Sequence, residues 1–434
     1  MRSVVFPLLL ALLPHTTVAA PAPRPPRLPS MATSIPDNLS LEKAYDITLA
    51  SDQAIRIAFL EVKKANLLPL SALTRIAPRL NGSYGYERID IATEPAGAAL
   101  NRFRRGVGIE SLSLEQTLVD FSAFPARRRG KFQAEGTRLS LRFSIRQTLF
   151  GVASAYYEVL KRERILQVNR QSLELASQQE QLAQKRADVG EVTRSDILRA
   201  KVSVETARRA MIASENTLEL QRNTLRNILN FPPDAPLHLT EPSPFPQNSQ
   251  PFEDLLQTAW THREDLQERE MNIHSAEERR KEILASYGPR ILASGVQSLS
   301  QTSGLAAAHS ENWSASVTVQ VPFFSGGQRE IDLATSRYNL DQAVLDKERV
   351  SKNIEAEVKR AWLDVRALDA SLRAAQAQLQ AAEQGYTDIQ NQYSAGTAKS
   401  LDVLTALNDL NTVRSDLAAL AADYQVALRS LEQV

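Results

Sequence analysis

The sequence predicts a mainly α-helical chain that also carries membrane β-structure, built as two copies of a strand-strand and long helical hairpin unit. Three observations predict it. Proline is excluded from residues 126–231 and 323–434, half of the chain. One interior proline costs a helix roughly 3 kcal/mol, so long helices are expected in both regions. The two regions repeat at a constant offset of 206, with Ala155 over Ala361, Val159 over Val365, Gly190 over Gly396, Asp196 over Asp402 and Leu198 over Leu404. Finally, Trp313, Ala315, Val317, Val319, Val321 and Phe323 alternate with Ser314, Ser316, Thr318 and Gln320. That period of two is a strand with one apolar and one polar surface.

Composition narrows the function. With 434 residues, a formal charge of +1 and no cysteine, the chain offers no overall attraction to nucleic acid. It can form no disulfide, thiolate nucleophile, cysteine-held metal or lipid-modified amino-terminal cysteine. Arg2, the apolar run from Val4 to Leu13 and the small residues up to Ala20 read as a secretory signal cleaved after Ala19. A short apolar amino-terminal helix is the alternative. After it, no run of about 18–20 apolar residues could serve as a transmembrane helix.

The expected layout is a signal peptide at 1–20, a Pro-rich leader at 21–37, a first repeat at 38–231, a Pro-rich connector at 232–251 and a second repeat at 252–434. Each repeat reads as helix, proline, two alternating segments and a helical hairpin. Strands are expected at about 80–120 and 290–324. In the first copy, Glu110 and Gln116 fall in register with Ala315 and Val321, which leaves its apolar face unassigned. On pattern alone, a half-buried sheet in a soluble domain fits equally well, whereas export favours lipid on one side and water on the other. Four strands cannot close a barrel around an open lumen. Edges left open in lipid are prohibitively costly, so a membrane sheet requires several chains.

The helical pattern is clearest in the second copy. Val365, Leu368, Leu372, Ala375, Leu379, Ala382, Tyr386, Ile389 and Tyr393 follow the 3-4 alternation of coiled-coil packing. The first copy begins the same way at Ile145, Leu149, Val152, Tyr156 and Val159, then turns polar at Glu163 and Arg170. Gly190 and Gly396 supply the breaks, giving antiparallel hairpins with outgoing arms of about 60 residues, on the order of 90 Å. The returning arms are shorter. Leu41 to Ala77 and Phe252 to Tyr287 have the missing length and are expected to stack end to end with them.

Two motifs complete the picture: Gln320-Val321-Pro322-Phe323-Phe324-Ser325-Gly326-Gly327 after a strand, and Tyr393-Ser394-Ala395-Gly396-Thr397 before Leu401-Asp402-Val403-Leu404. With the duplication, they make residues 38–434 similar to the TolC family of outer-membrane efflux proteins. The resemblance implies a homotrimer whose chains share a 12-stranded outer-membrane β-barrel continued by a periplasmic α-helical barrel. It implies a passive exit duct that meets a periplasmic adaptor (membrane fusion) protein and an inner-membrane transporter, with no catalysis and no cofactor. Val189, Gly190, Glu191, Ala395, Gly396 and Thr397 would be adaptor-contacting hairpin tips. Asp402 would face the pore constriction as an acidic ring, with Asp196 and Tyr393 as further gate residues. Ala398 and Thr405 stand where some members carry a basic and an acidic residue. Asp196 and Asp402 are equally suited to capping the returning helices.

Other signals carry less. His15, His238, His262, His274 and His309 lack metal-ligand spacing. Gly106-Val107-Gly108 and Gly326-Gly327 lack the strand-turn-helix context of a phosphate cradle. The run Arg127-Arg128-Arg129-Gly130-Lys131 reads as a solvated patch or one facing lipid phosphate at the inner boundary of a membrane, not as a nucleic-acid site. Tyr156 and Trp362 read as packing residues. The main rival to a duct is an exported coiled-coil adaptor or scaffold. An enzyme has no convergent acid, base or nucleophile set to recommend it.

Overall fold

A computed structural model describes residues 38–93, 101–241, 250–303 and 308–433. The signal and leader readings, and part of the connector, lie outside the described residues. Three helices open the described chain, α1 (Leu41–Ser51), α2 (Gln53–Ala65) and α3 (Leu68–Leu73). Strands β1 (Arg79–Thr93) and β2 (Asn101–Asp120) follow, then the hairpin of α4 (Ala123–Asp188) and α5 (Arg194–Ile228). The second half repeats this order with α6 (Phe252–His262), α7 (Glu264–Ala285), β3 (Arg290–Ser303), β4 (Ala308–Gln320), α8 (Gln328–Ser394) and α9 (Ser400–Gln433). Capping fixes the early boundaries: Ser40 accepts from the Lys43 amide at 3.3 Å, and Asp52 from the Ile55 amide at 2.8 Å. None of the described helices is long and apolar enough to cross a membrane.

The four strands form one antiparallel sheet in the order β1-β2-β3-β4. Its central pairing, from Gly106 opposite Ser303 to Asp120 opposite Arg290, fuses the two repeats. Directly opposed residues of an antiparallel pair share a face. The register therefore puts Leu80 and Tyr84 of β1, Leu112 and Leu114 of β2, and Ile291 and Ala293 of β3 with Trp313, Val317 and Val319 of β4. This assigns the apolar face of the first repeat. Glu110 and Gln116 do lie on it, opposite Leu299 and Ala293, at the level of Glu311 and Val317 on β4. The other face is serine-rich, with hydroxyl pairs Ser83–Ser111 at 2.7 Å and Ser294–Ser316 at 2.8 Å. Strands of 13–20 residues exceed the about 9–11 that a tilted strand needs to span a bilayer.

The outgoing arms are 66 and 67 residues long, about 100 Å at 1.5 Å per residue. Pro125 is tolerated in α4 because it stands in the first turn, where the amide has no helical partner. The returning arms have 35 and 34 residues. Where α5 ends, Leu225 and Leu229 meet Leu41 and Ala44 of the α1 region against Val152, Tyr156 and Val159 of α4. Where α9 ends, Tyr424, Leu428 and Leu431 pack on Ala361 and Val365 of α8, and α6 takes over at Ile354 and Val358 through Leu256 and Ala259. Thus α1–α3 extend α5, and α6–α7 extend α9, which is the end-to-end arrangement expected from their lengths. Val152 and Val159 correspond to Val358 and Val365 at the repeat offset, and all four are buried.

The heptad stripe of α8 packs along its length, from Val365 to Tyr393. The polar stretch of α4 is also used, since Glu163 pairs with Arg222 at 2.8 Å and Arg170 with Glu215 at 2.9 Å on α5. Tyr156 is fully buried, with its hydroxyl 2.8 Å from the Leu39 carbonyl and 2.5 Å from that of Thr240. Burial pushes its phenol up to about 12, so it remains a donor. A short parallel bridge, Leu39 to Leu239, completes this clasp between the chain start and the connector.

The basic run is divided by its surroundings. Arg128 pairs with Glu278 at 2.7 Å and Arg129 with Glu282 at 3.1 Å, joining α4 to α7. Arg75 and Arg279 also reach Glu282, at 2.8 and 3.1 Å. Burial works against the Glu278 charge, but Lys281 and Arg128 outweigh it and hold the carboxyl below its ordinary range.

Candidate channel tip and adaptor surface

Both hairpins turn in the same way. Gly190 and Gly396 take φ of +79° and +78°, the left-handed conformation that a side chain resists by roughly 1–2 kcal/mol. The Glu191 amide donates to the Arg186 carbonyl at 2.9 Å, and the Thr397 amide to that of Gln392 at 2.9 Å. Each is the six-to-one bond that closes a Schellman turn. Val189, Gly190, Glu191, Ala395, Gly396 and Thr397 are all exposed at these turns. Val189 is 71% exposed, an apolar side chain with no cover in the single chain.

The two aspartates begin the returning helices. Asp196 and Thr193 form a capping box: the Asp196 carboxylate accepts from the Thr193 amide at 3.0 Å and hydroxyl at 2.7 Å, and the Asp196 amide donates to the Thr193 hydroxyl at 3.3 Å. The Thr193 hydroxyl and amide hold the Asp196 carboxyl below its usual value. Asp402 repeats half of this, accepting from the Lys399 amide at 3.0 Å, and it is exposed. Capping is thus established for both carboxylates. The other carboxylate oxygen of Asp402 has no hydrogen-bond partner among the described residues.

Tyr393 is placed differently from an open gate residue. It is 2% exposed, packed with Ala176 of α4, Val204 of α5, Tyr386 of α8 and Val403, Leu407 and Leu410 of α9. This core joins the two hairpins, with α4 against α9 at its centre. Its hydroxyl has no partner among the described residues. Sequence reasoning missed Arg186, which fastens this place. Its guanidinium donates to the Tyr393 carbonyl at 2.6 Å and the Ser394 carbonyl at 2.8 Å, and lies 4.4 Å from the Tyr393 ring centroid. A basic residue in the last turn of α4 was visible, but such residues usually serve their own helix end. The one available signal was asymmetry, because Gln392 stands at the equivalent place in the second copy.

The model of the outer membrane efflux protein family matches residues 44–230 and 255–434. The chain belongs to that family. As an outer membrane efflux protein it resides in the outer membrane, with its long helices on the periplasmic side. It is similar to the outer membrane efflux protein BepC of Brucella suis biovar 1, 26% identical over 359 residues that cover 81% of this chain and 75% of the relative. Protein CyaE of Bordetella pertussis is 27% identical over 417 residues, covering 91% and 83%. Among solved structures, the outer membrane protein VceC of Vibrio cholerae superposes with a TM-score of 0.74 at 18% identity, covering 90% of this chain and 94% of that one. The CmeC outer membrane channel of Campylobacter jejuni gives 0.77 at 14% identity, covering 91% and 84%. These structures share the fold of this efflux protein.

Proposed function

We propose that three copies of this chain form the passive exit duct of a tripartite efflux or type I secretion system, carrying cargo from a periplasmic adaptor and an inner-membrane transporter to the exterior. The observation that carries it is a matched pair of open edges. Among the described residues the sheet is unpaired at β1 and at β4. The helices form an arc in the order α5-α4-α9-α8, so its free sides are α5 and α8. Those sides keep exposed apolar residues, including Leu198, Val202 and Ile212 on α5 and Ile331, Tyr338 and Leu345 on α8. One rotation that pairs β1 with a neighbour's β4 also sets α5, continued by α1–α3, against its α8, with Ile331, Tyr338 and Leu345 at the level of α2 and α3. Three such steps close twelve strands into a barrel wide enough for a lumen.

In this reading the serine-rich sheet face lines the lumen and the apolar face meets lipid. The hairpin tips meet the adaptor, and no residue carries a chemical step. Purified protein is expected to run as a trimer and to conduct in planar bilayers. A monomer without conductance would reject the assembly. Asp402→Asn tests the constriction: it keeps an oxygen for the Lys399 amide but removes charge from the ring, so cation selectivity should fall while the tip stays folded. Unchanged selectivity would remove Asp402 from the pore.

A further inference from the structure

Two members of the basic run remain unused. Arg127 and Lys131 are exposed, and neither has an ion-pair partner among the described residues. They share one side of α4 with Phe124, which is 55% exposed. This stretch of helix sits directly at the end of the sheet. β2 ends at Asp120 opposite Arg290, and Arg290 is in turn opposite Gln320, the last residue of β4. Phe121, Phe124, Phe323 and Phe324 therefore gather at one end of the strands, all exposed.

Along this side of α4 the chemistry changes from aromatic to cationic over two turns. At 1.5 Å per residue, Arg127 lies about 4.5 Å and Lys131 about 10 Å beyond Phe124. The interfacial layer of a bilayer is about 5–8 Å deep on each side of its hydrocarbon core. With the Phe124 ring held at the acyl boundary, Arg127 falls within this layer and the Lys131 backbone lies about 2–5 Å beyond it, within reach of its long stem.

We propose that this side of α4, with Phe124 above Arg127 and Lys131, binds the phosphodiester headgroup of an anionic phospholipid in the leaflet nearest the helices. The assignment rests on the outer-membrane duct reading. The exposed rings of Phe121, Phe124, Phe323 and Phe324 supply apolar surface at this end of the sheet, and two cations without an ion-pair partner among the described residues complement the phosphate. A neighbouring copy does not fit here, because α4 lies inside the arc. Its flanks are already taken by α3, where Gly130 abuts Leu68 and Pro69, and by α7, through Arg128 and Glu278. Flexible stems let both side chains adjust their heads to the headgroup plane.

The test uses the purified full-length trimer in detergent, titrated separately with phosphatidylglycerol and phosphatidylcholine, with bound lipid counted by native mass spectrometry. The wild type should retain phosphatidylglycerol preferentially. Arg127→Glu with Lys131→Glu should reduce that preference by at least roughly 25-fold, the loss expected from removing two basic residues alone, since the reversed charges also repel the phosphate. Lys201→Glu, exposed on α5 well away from the sheet, should keep it. Equal retention of both lipids by the wild type, or a preference that survives the double substitution, overturns the site. Conductance is recorded on the same preparations. A wild-type trimer that conducts without preferring phosphatidylglycerol overturns the lipid site and leaves the duct standing.

Discussion

Arg186→Ala is expected to raise single-channel conductance several-fold by loosening the tip. The side chain makes two charge-assisted hydrogen bonds, at 2.6 and 2.8 Å, to carbonyls at the end of the other hairpin. Such bonds contribute about 1.5–3 kcal/mol each when water is kept away, and stacking on the Tyr393 ring adds about 0.5–1 kcal/mol. Allowing for water that reaches this part-buried site in the variant, about 3 kcal/mol of coupling between hairpins is lost. That shifts a closed-to-separated equilibrium by more than about 100-fold. Arg186→Lys should fall between, because a single ammonium cannot reproduce the planar fork on two carbonyls. Planar-bilayer recordings measure both. A conductance identical to wild type in the alanine variant would show that this contact does not restrain the pore.

Glu282→Ala should give the largest loss of stability at the helix-to-sheet junction. The carboxylate is 4% exposed and sits among Arg75, Arg129 and Arg279. Removing one partner of a buried ion pair costs about 3–5 kcal/mol because the remaining charges are stranded. The three guanidiniums keep some access to water, so the lower end, about 3 kcal/mol, is expected. The thermal unfolding temperature should fall, and amide exchange should rise in α7 and the first turns of α4 but not at the tip. Unchanged exchange in α7 would refute the role. Acid should act on the neighbouring pair. Glu278 is held below its ordinary value of 4.5, so its contribution is complete above that value and is lost as pH falls through the lowered one. The junction should hold at pH 6 and loosen only as the pH falls below 4.5, through the lowered value, in the same exchange measurement.

The parts of this protein that were legible in the sequence are those set by local geometry. The gap in prolines, the 3-4 stripe ending at Tyr393 and the glycines at 190 and 396 give hairpins with defined turns. They do so because helix period and left-handed φ are properties of a few neighbouring residues. The capping of Asp196 and Asp402 was legible for the same reason, since a carboxylate three residues into a helix reaches the amide at its start. The β4 alternation identified one strand and its two faces, but the faces of β2 became readable only through pairing. With Glu110 and Gln116 on the apolar side, no period in β2 alone separates lipid from lumen.

Tertiary structure decided which surfaces meet. Pairing of β2 with β3 fuses the repeats into one sheet, and α6–α7 occupies the slot above α9 between α4 and α8. It also split a basic run of apparently uniform character into residues that face buried glutamates and residues that face outward. Arg186 shows the limit most clearly. By itself it is a charge near a helix end, and its role depends on a carbonyl 207 residues away in the chain. The sequence alone therefore determined the elements, their lengths and their turns, through short-range sterics and hydrophobic period. The assembly edges, the latch at the tip and the outward cations on α4 exist only once those elements are packed, because burial and charge pairing depend on neighbours that no local pattern specifies.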